Sequence, residues 1–146
     1  MESFPLGITL KSNAPPFKRP LAKETVFAGF PSPAEDYIDT GIDLNEQLIR
    51  HPLSTFFIRV SGDSMSNAGI HNGDLLIIDR SIEPQPGRFV IAILDGCFLI
   101  KKLTYKHGKT YLEAENPSYP IIDISNYETV QIWGVAIYSI HELTHI

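Results

Sequence analysis

The stretch Phe89–Leu103, FVIAILDGCFLIKKL, decides the fold. Two runs rich in β-branched and aromatic residues, FVIAIL and CFLIKKL, flank Asp95-Gly96. Asp-Gly supplies the positive φ angles that a two-residue type I′ turn needs, so the stretch predicts a tight antiparallel hairpin. Along its second strand Cys97, Leu99, Lys101 and Leu103 fall on one face, because successive side chains alternate. Lys101 therefore continues an apolar stripe. That is an unusual place for an ammonium group, which burial disfavours.

Outward from this hairpin the same character recurs. TFFIRVSG at 55–62, LLIID at 75–79 after Asn72-Gly73-Asp74, KTYLEAE at 109–115 and TVQIWGVAIYSI at 129–140 all read as short strands between Gly, Pro and Asn punctuation. Asp43-Leu44-Asn45-Glu46 marks a helix start, with Asp43 as N-cap and Glu46 three residues on. Leu44 and Leu48 are expected on its buried face, and Pro52 is expected to stop it. The body is predicted to be mostly β, largely antiparallel, with one short helix at its entrance. Residues 1–28 read instead as a mobile arm, because Pro5, Pro15, Pro16 and Pro20 interrupt any periodicity.

Composition narrows the function classes. The 146 residues, 43% hydrophobic and 20% charged, suit one soluble domain with a real core. No apolar run reaches the roughly 18 residues of a membrane span, and no signal peptide is evident. A single cysteine, Cys97, rules out an internal disulfide, so the cytoplasm is the default compartment. The arm carries a net charge of +2 and the remainder −7. An acidic body without a helix-turn-helix pattern argues against direct DNA binding, which needs clustered Lys and Arg.

Two motifs compete for the chemistry. His141-Glu142-Leu143-Thr144-His145 fits H-E-x-x-H, the zinc-protease pattern, which needs a stable helix so that both histidines face the metal. Here a strand-like run precedes it and only Ile146 follows, so the match reads as accidental and neither a metal nor another cofactor is expected. The second is Ser64 in Val60-Ser61-Gly62-Asp63-Ser64-Met65, placed where a strand gives way to a Gly-containing loop. A lysine in an apolar setting has a lowered pKa, and its neutral amine can take the proton of a serine hydroxyl. Residues alone leave two readings open. Ser64 and Lys101 form a Ser–Lys dyad, or they are a structural loop serine and a lysine that snorkels to water.

The surrounding pattern resembles the self-cleaving peptidase domain shared by LexA and UmuD. Gly62, Ser64-Met65, Gly69-Ile70, Gly73-Asp74, Gly87, Lys101 and Leu103 match that pattern in order, and GFPSPAEDYIDTGIDLNEQLIRHP looks like the UmuD branch. The resemblance implies Ser64 as nucleophile, Lys101 as general base, and self-cleavage between Ala28 and Gly29. It divides the chain into an arm, 1–28, and a peptidase domain, 29–146. Glycine after the cut lets the backbone approach the dyad closely. The backbone N–H groups of Asp63 and Ser64 are the candidate oxyanion donors. The resemblance further implies a homodimer, cleavage stimulated by RecA filaments on single-stranded DNA, and work beside a UmuC-type error-prone polymerase in the SOS response.

One position departs from the pattern. Leu99 stands where family members often carry a threonine that could orient the amine. Three other readings compete: a non-cleaving interaction module for polymerase or RecA, a signal-peptidase-like enzyme without its membrane anchor, and a LexA-like repressor relative without a DNA-binding domain.

Overall fold

The computed structural model describes residues 15–22, 26, 28–29, 38–126 and 130–145. The chain forms two compact units, one of Lys11–Arg50 and a larger one that contains His51–Ile146.

In the smaller unit, β1 (Lys18–Ala22) pairs antiparallel with β2 (Ile38–Asp43), and α1 (Leu44–Leu48) follows directly. Pro20 does not prevent β1. It falls at the register shift between Arg19 and Leu21, where the ladder does not need its missing N–H. Part of the stretch read as arm is thus strand. Asp43 caps α1 as expected: its buried carboxylate accepts from the N–H of Asn45 at 2.9 Å and from that of Phe17 at 2.9 Å. The predicted buried face of the helix is corrected. A five-residue helix is too short to present a stripe, and Leu44 is 59% exposed. Pro52 does not terminate it either. The helix ends at Leu48, and Pro52 opens a separate 3₁₀ turn over Pro52–Ser54.

The larger unit is a seven-stranded antiparallel sheet. Its strands are β3 (Thr55–Arg59), β4 (Leu75–Asp79), β5 (Phe89–Leu94), β6 (Cys97–Lys106), β7 (Lys109–Glu113), β8 (Ile122–Asp123) and β9 (Val130–Ile140). They lie in the order β3-β4-β9-β5-β6-β7-β8. The Asp95-Gly96 turn joins β5 to β6 with both φ angles positive, as the opening hairpin requires. His107-Gly108 repeats the device between β6 and β7. Among the described residues no helix is long and apolar enough to cross a membrane.

The last strand in sequence, β9, occupies the middle of the sheet. Its register against β5 skips Trp133, and its register against β4 skips Ile137. Bulges of this kind bend and twist a strand. The sheet curls accordingly, so that the end of β3 and the middle of β6 line one cavity although three strands separate them. The concave face buries Ile58, Met65, Leu76, Ile78, Ile91 and Trp133, with the rings of Phe56 and Phe98 at 5.2 and 5.5 Å from Trp133. Val90, Leu94, Leu103, Leu112 and Val135 pack a second cluster.

Gly134 lets β9 pass this closely. A Cβ there would lie 2.6 Å from Ile78 Cγ2 and 3.2 Å from Arg80 Cγ. Gly134→Ala is expected to destabilise the domain by about 1–3 kcal/mol through overpacking, measured by urea unfolding.

A buried aspartate stands at each end of β4. Asp79 accepts from the N–H and hydroxyl of Ser81 at 2.9 and 2.6 Å, and His51 Nδ1 lies 2.6 Å from its carboxylate. Asp74 accepts from the N–H of His71 at 2.8 Å and the Ser139 hydroxyl at 3.0 Å, with His141 Nδ1 at 2.5 Å. Burial alone would raise both carboxyls, but these bonds outweigh it and hold each below the ordinary 3.8. A carboxyl with a depressed folded pKa adds stability above its unfolded value and loses it as pH falls through the folded one. Stability is therefore expected to hold above about pH 4 and to fall below it. Asp79→Asn should cost about 2 kcal/mol at neutral pH and flatten that acid limb, as urea midpoints across pH would record.

Candidate active site

Ser64 is positioned by what flanks it. Arg59 ends β3, Val60 is buried, and Gly62 turns the chain with φ +99°. The Gly62 N–H donates to Asn72 Oδ1 at 2.9 Å, tying the loop to the Asn72-Gly73 turn. The next anchor is Met65, 2% exposed in the concave core, whose sulfur accepts the Glu115 N–H at 3.4 Å. Ser64 sits half-buried between exposed Asp63 and buried Met65, on a shoulder held at both ends. Among the described residues, no protein acceptor takes the backbone N–H of Asp63 or of Ser64. Both are left free for a further acceptor.

Lys101 lies in β6 opposite Val90, 7% exposed, between Leu99 and Leu103 on the stripe read from the sequence. Burial lowers its pKa from the ordinary 10.5, and no charged group contributes to the shift. Its amine has neither a hydrogen bond nor a carboxylate partner among the described residues, and faces the Tyr119 ring with Nζ 5.4 Å from the centroid. Lys102, the competing base, carries its amine to Glu115 at 3.2 Å.

Ser64 and Lys101 share two adjoining hollows. One, of about 230 Å³, is apolar, with Ile58, Ile91 and Phe98 in its wall. The other, of about 300 Å³, opens beside Asp63 and Tyr119. Leu99 lines both. No hydrogen bond joins Ser64 to Lys101 in this structure. Catalytic hydrogen bonds commonly tighten only when substrate is bound.

The other predicted sites fall elsewhere. Ala28 and Gly29 form an exposed bend in the smaller unit, and a Cβ at Gly29 would meet nothing within 4 Å. The H-E-x-x-H segment follows the end of β9 without helical structure over 141–145. His141 there is engaged with Asp74, and His145 Nδ1 lies 2.9 Å from Glu142.

Sequence reasoning missed the wall opposite β6. Asn116-Pro117 reads only as a turn, yet the Asn116 amide donates to the Asp63 carbonyl at 3.0 Å. The Tyr119 hydroxyl donates to the Asp63 carboxylate at 2.6 Å. No local pattern announces contacts that span more than fifty residues.

The antiparallel sheet thus brings a loop serine and a desolvated lysine to one cleft. Residues 20–137 match the family described as Peptidase S24-like. The chain belongs to that family, and in class it is a self-cleaving serine peptidase. It is 45% identical to Protein SamA of Salmonella typhimurium, over 84% of this chain and 85% of that one. It is 44% identical to Protein ImpA of Escherichia coli over 86% and 85%. Identity to the LexA repressor of Shewanella baltica is 34%, over 77% of this chain and 54% of the repressor. The resemblance to the LexA and UmuD peptidases is thereby borne out.

Proposed function

We propose that this protein cuts its own Ala28–Gly29 bond, with Ser64 as nucleophile and Lys101 as general base. The observation that carries the reading is Lys101: a buried amine with no counter-charge among the described residues, opening onto the same cleft as Ser64. The neutral amine takes the Ser64 proton as Oγ attacks the Ala28 carbonyl carbon. The N–H groups of Asp63 and Ser64 hold the resulting oxyanion. Collapse breaks the bond to Gly29, and the Lys101 ammonium returns the proton to the leaving amine. Water, deprotonated by Lys101, then hydrolyses the Ala28 ester and frees Ser64. An exposed Ala28-Gly29 bend suits a scissile bond, and nothing within 4 Å of Gly29 demands glycine there for packing.

In this reading the cut removes residues 1–28, and the 29–146 product works as a homodimer in the cytoplasm. Its role is that of accessory subunit to an error-prone translesion polymerase of the UmuC type, with RecA filaments as the trigger after DNA damage. Support comes from the family, from the UmuD-like stretch at 29–52, and from the higher and fuller likeness to SamA and ImpA than to the repressor. Incubating the full chain with RecA, single-stranded DNA and a nucleotide should yield a fragment beginning at Gly29. A cut elsewhere, or no stimulation by the filament, would contradict this assignment.

A further inference from the structure

The side chain of Tyr119 touches Lys101 and the residue that precedes Ser64. Its hydroxyl is bound to Asp63, the residue before Ser64, at 2.6 Å, and its ring lies over the Lys101 amine with 5.4 Å from Nζ to the centroid. It also lines the hollow that holds Ser64 and Lys101. The neighbouring Asn116 amide grips the Asp63 carbonyl, so the whole 116–119 turn is fastened to the Asp63–Ser64 backbone. The Ser118 N–H and Tyr119 N–H in turn donate to Asn116 at 3.0 and 3.1 Å, closing the turn on itself.

We propose that Tyr119 is a positioning residue of the self-cleavage reaction, its ring stabilising the charged form of Lys101 and its hydroxyl fixing the Asp63–Ser64 backbone that receives the oxyanion. This inference rests on the Ser64–Lys101 reading. An aromatic face attracts an ammonium and has little hold on a neutral amine. The ring therefore opposes desolvation and keeps the lysine's pKa higher than burial alone would set it. Such a balance keeps the pair from being fully armed at neutral pH.

The charges around the amine are few. Asp63 comes from the loop after β3 and is occupied by Tyr119, Arg59 lines the apolar hollow from β3, Val90 of β5 lies opposite, and Lys102 on β6 is paired with Glu115. None of them contributes to the lowering at Lys101, whose cause is burial. The bond to Asp63 pushes the Tyr119 hydroxyl above its ordinary range, so it remains a donor under alkaline conditions.

The test uses the full chain with and without Tyr119→Leu and Tyr119→Phe. Lysine side-chain NMR in a Ser64→Ala background follows Lys101 titration in a chain that stays whole. Tyr119→Leu should lower the Lys101 midpoint by about half a pH unit, whereas Tyr119→Phe, which keeps the ring, should leave it in place. With Ser64 intact, Tyr119→Phe should slow cleavage roughly three- to tenfold at the alkaline plateau without moving the pH profile. Tyr119→Leu should shift the profile toward acid. An unchanged or raised midpoint in Tyr119→Leu, or a profile that moves in Tyr119→Phe, overturns the proposal. A lowered midpoint in a chain that never cuts would uphold the ring's effect on Lys101 and refute the self-cleavage reading instead.

Discussion

Ser64→Ala is expected to leave the chain whole under conditions where the parent is cut, with its stability nearly unchanged. The Ser64 hydroxyl makes no hydrogen bond within the described protein, and the shoulder that carries it is held by its neighbours, Met65 in the core and Asp63 through Asn116 and Tyr119. Removing one oxygen should therefore change unfolding free energy by no more than about 0.5 kcal/mol, the usual range for a substitution away from packing and bonding. Loss of the nucleophile removes the covalent route altogether, and catalysis should fall by at least about a thousandfold. Intact-mass measurement of cleavage, set beside urea unfolding of both proteins, separates a lost nucleophile from a lost fold.

Lys101→Met should abolish cleavage and stabilise the protein at once. The lysine is nine-tenths buried with no partner charge among the described residues, and burial depresses its pKa below 10.5. An amine whose folded pKa is depressed destabilises the folded chain at every pH below that folded value. The penalty is relieved as pH climbs from there to the unfolded value near 10.5. Methionine keeps the length and fits between Leu99 and Leu103 without a charge to desolvate. A gain of about 1–2 kcal/mol is expected at neutral pH, shrinking as pH approaches 10.5, as urea midpoints would show. A protein that tolerates an unfavourable group at one position, and loses activity when it is removed, is trading stability for chemistry. Equal or lower stability of Lys101→Met across the pH range would mean that the amine is comfortably solvated and poorly suited to act as a base.

What could be read from the sequence was what local rules encode. The Asp95-Gly96 turn and the two-residue alternation through Cys97, Leu99, Lys101 and Leu103 fix both the hairpin and the face of the lysine, because turn type and pleat depend only on neighbours in the chain. The Asp43 cap was legible for the same reason. The buried face assigned to Leu44 and Leu48 failed because periodicity needs more than a single short helix to express itself. Pro20 looked like a strand breaker, yet it sits at an irregular step of β1 where its missing N–H is harmless. The rest depends on the curl of the sheet. Three strands separate β3 from β6 in the sheet, yet both line one cleft, and Asn116 and Tyr119 reach Asp63 from more than fifty residues away. Asp79 with His51, and Asp74 with His141, are likewise pairings across the fold. The second of these sets the first histidine of the H-E-x-x-H match against a buried carboxylate beyond the end of a strand, a contact that no local pattern in the motif announces.

The most direct measurement is an intact-mass time course of the purified chain across neutral to alkaline pH, beside Ser64→Ala and Lys101→Met. A cut between Ala28 and Gly29 is expected, with a rate that rises through a single ionisation centred below 10.5 and is absent from both variants. A chain that stays whole at every pH, or a cut that persists in Ser64→Ala, would contradict the Ser64–Lys101 mechanism.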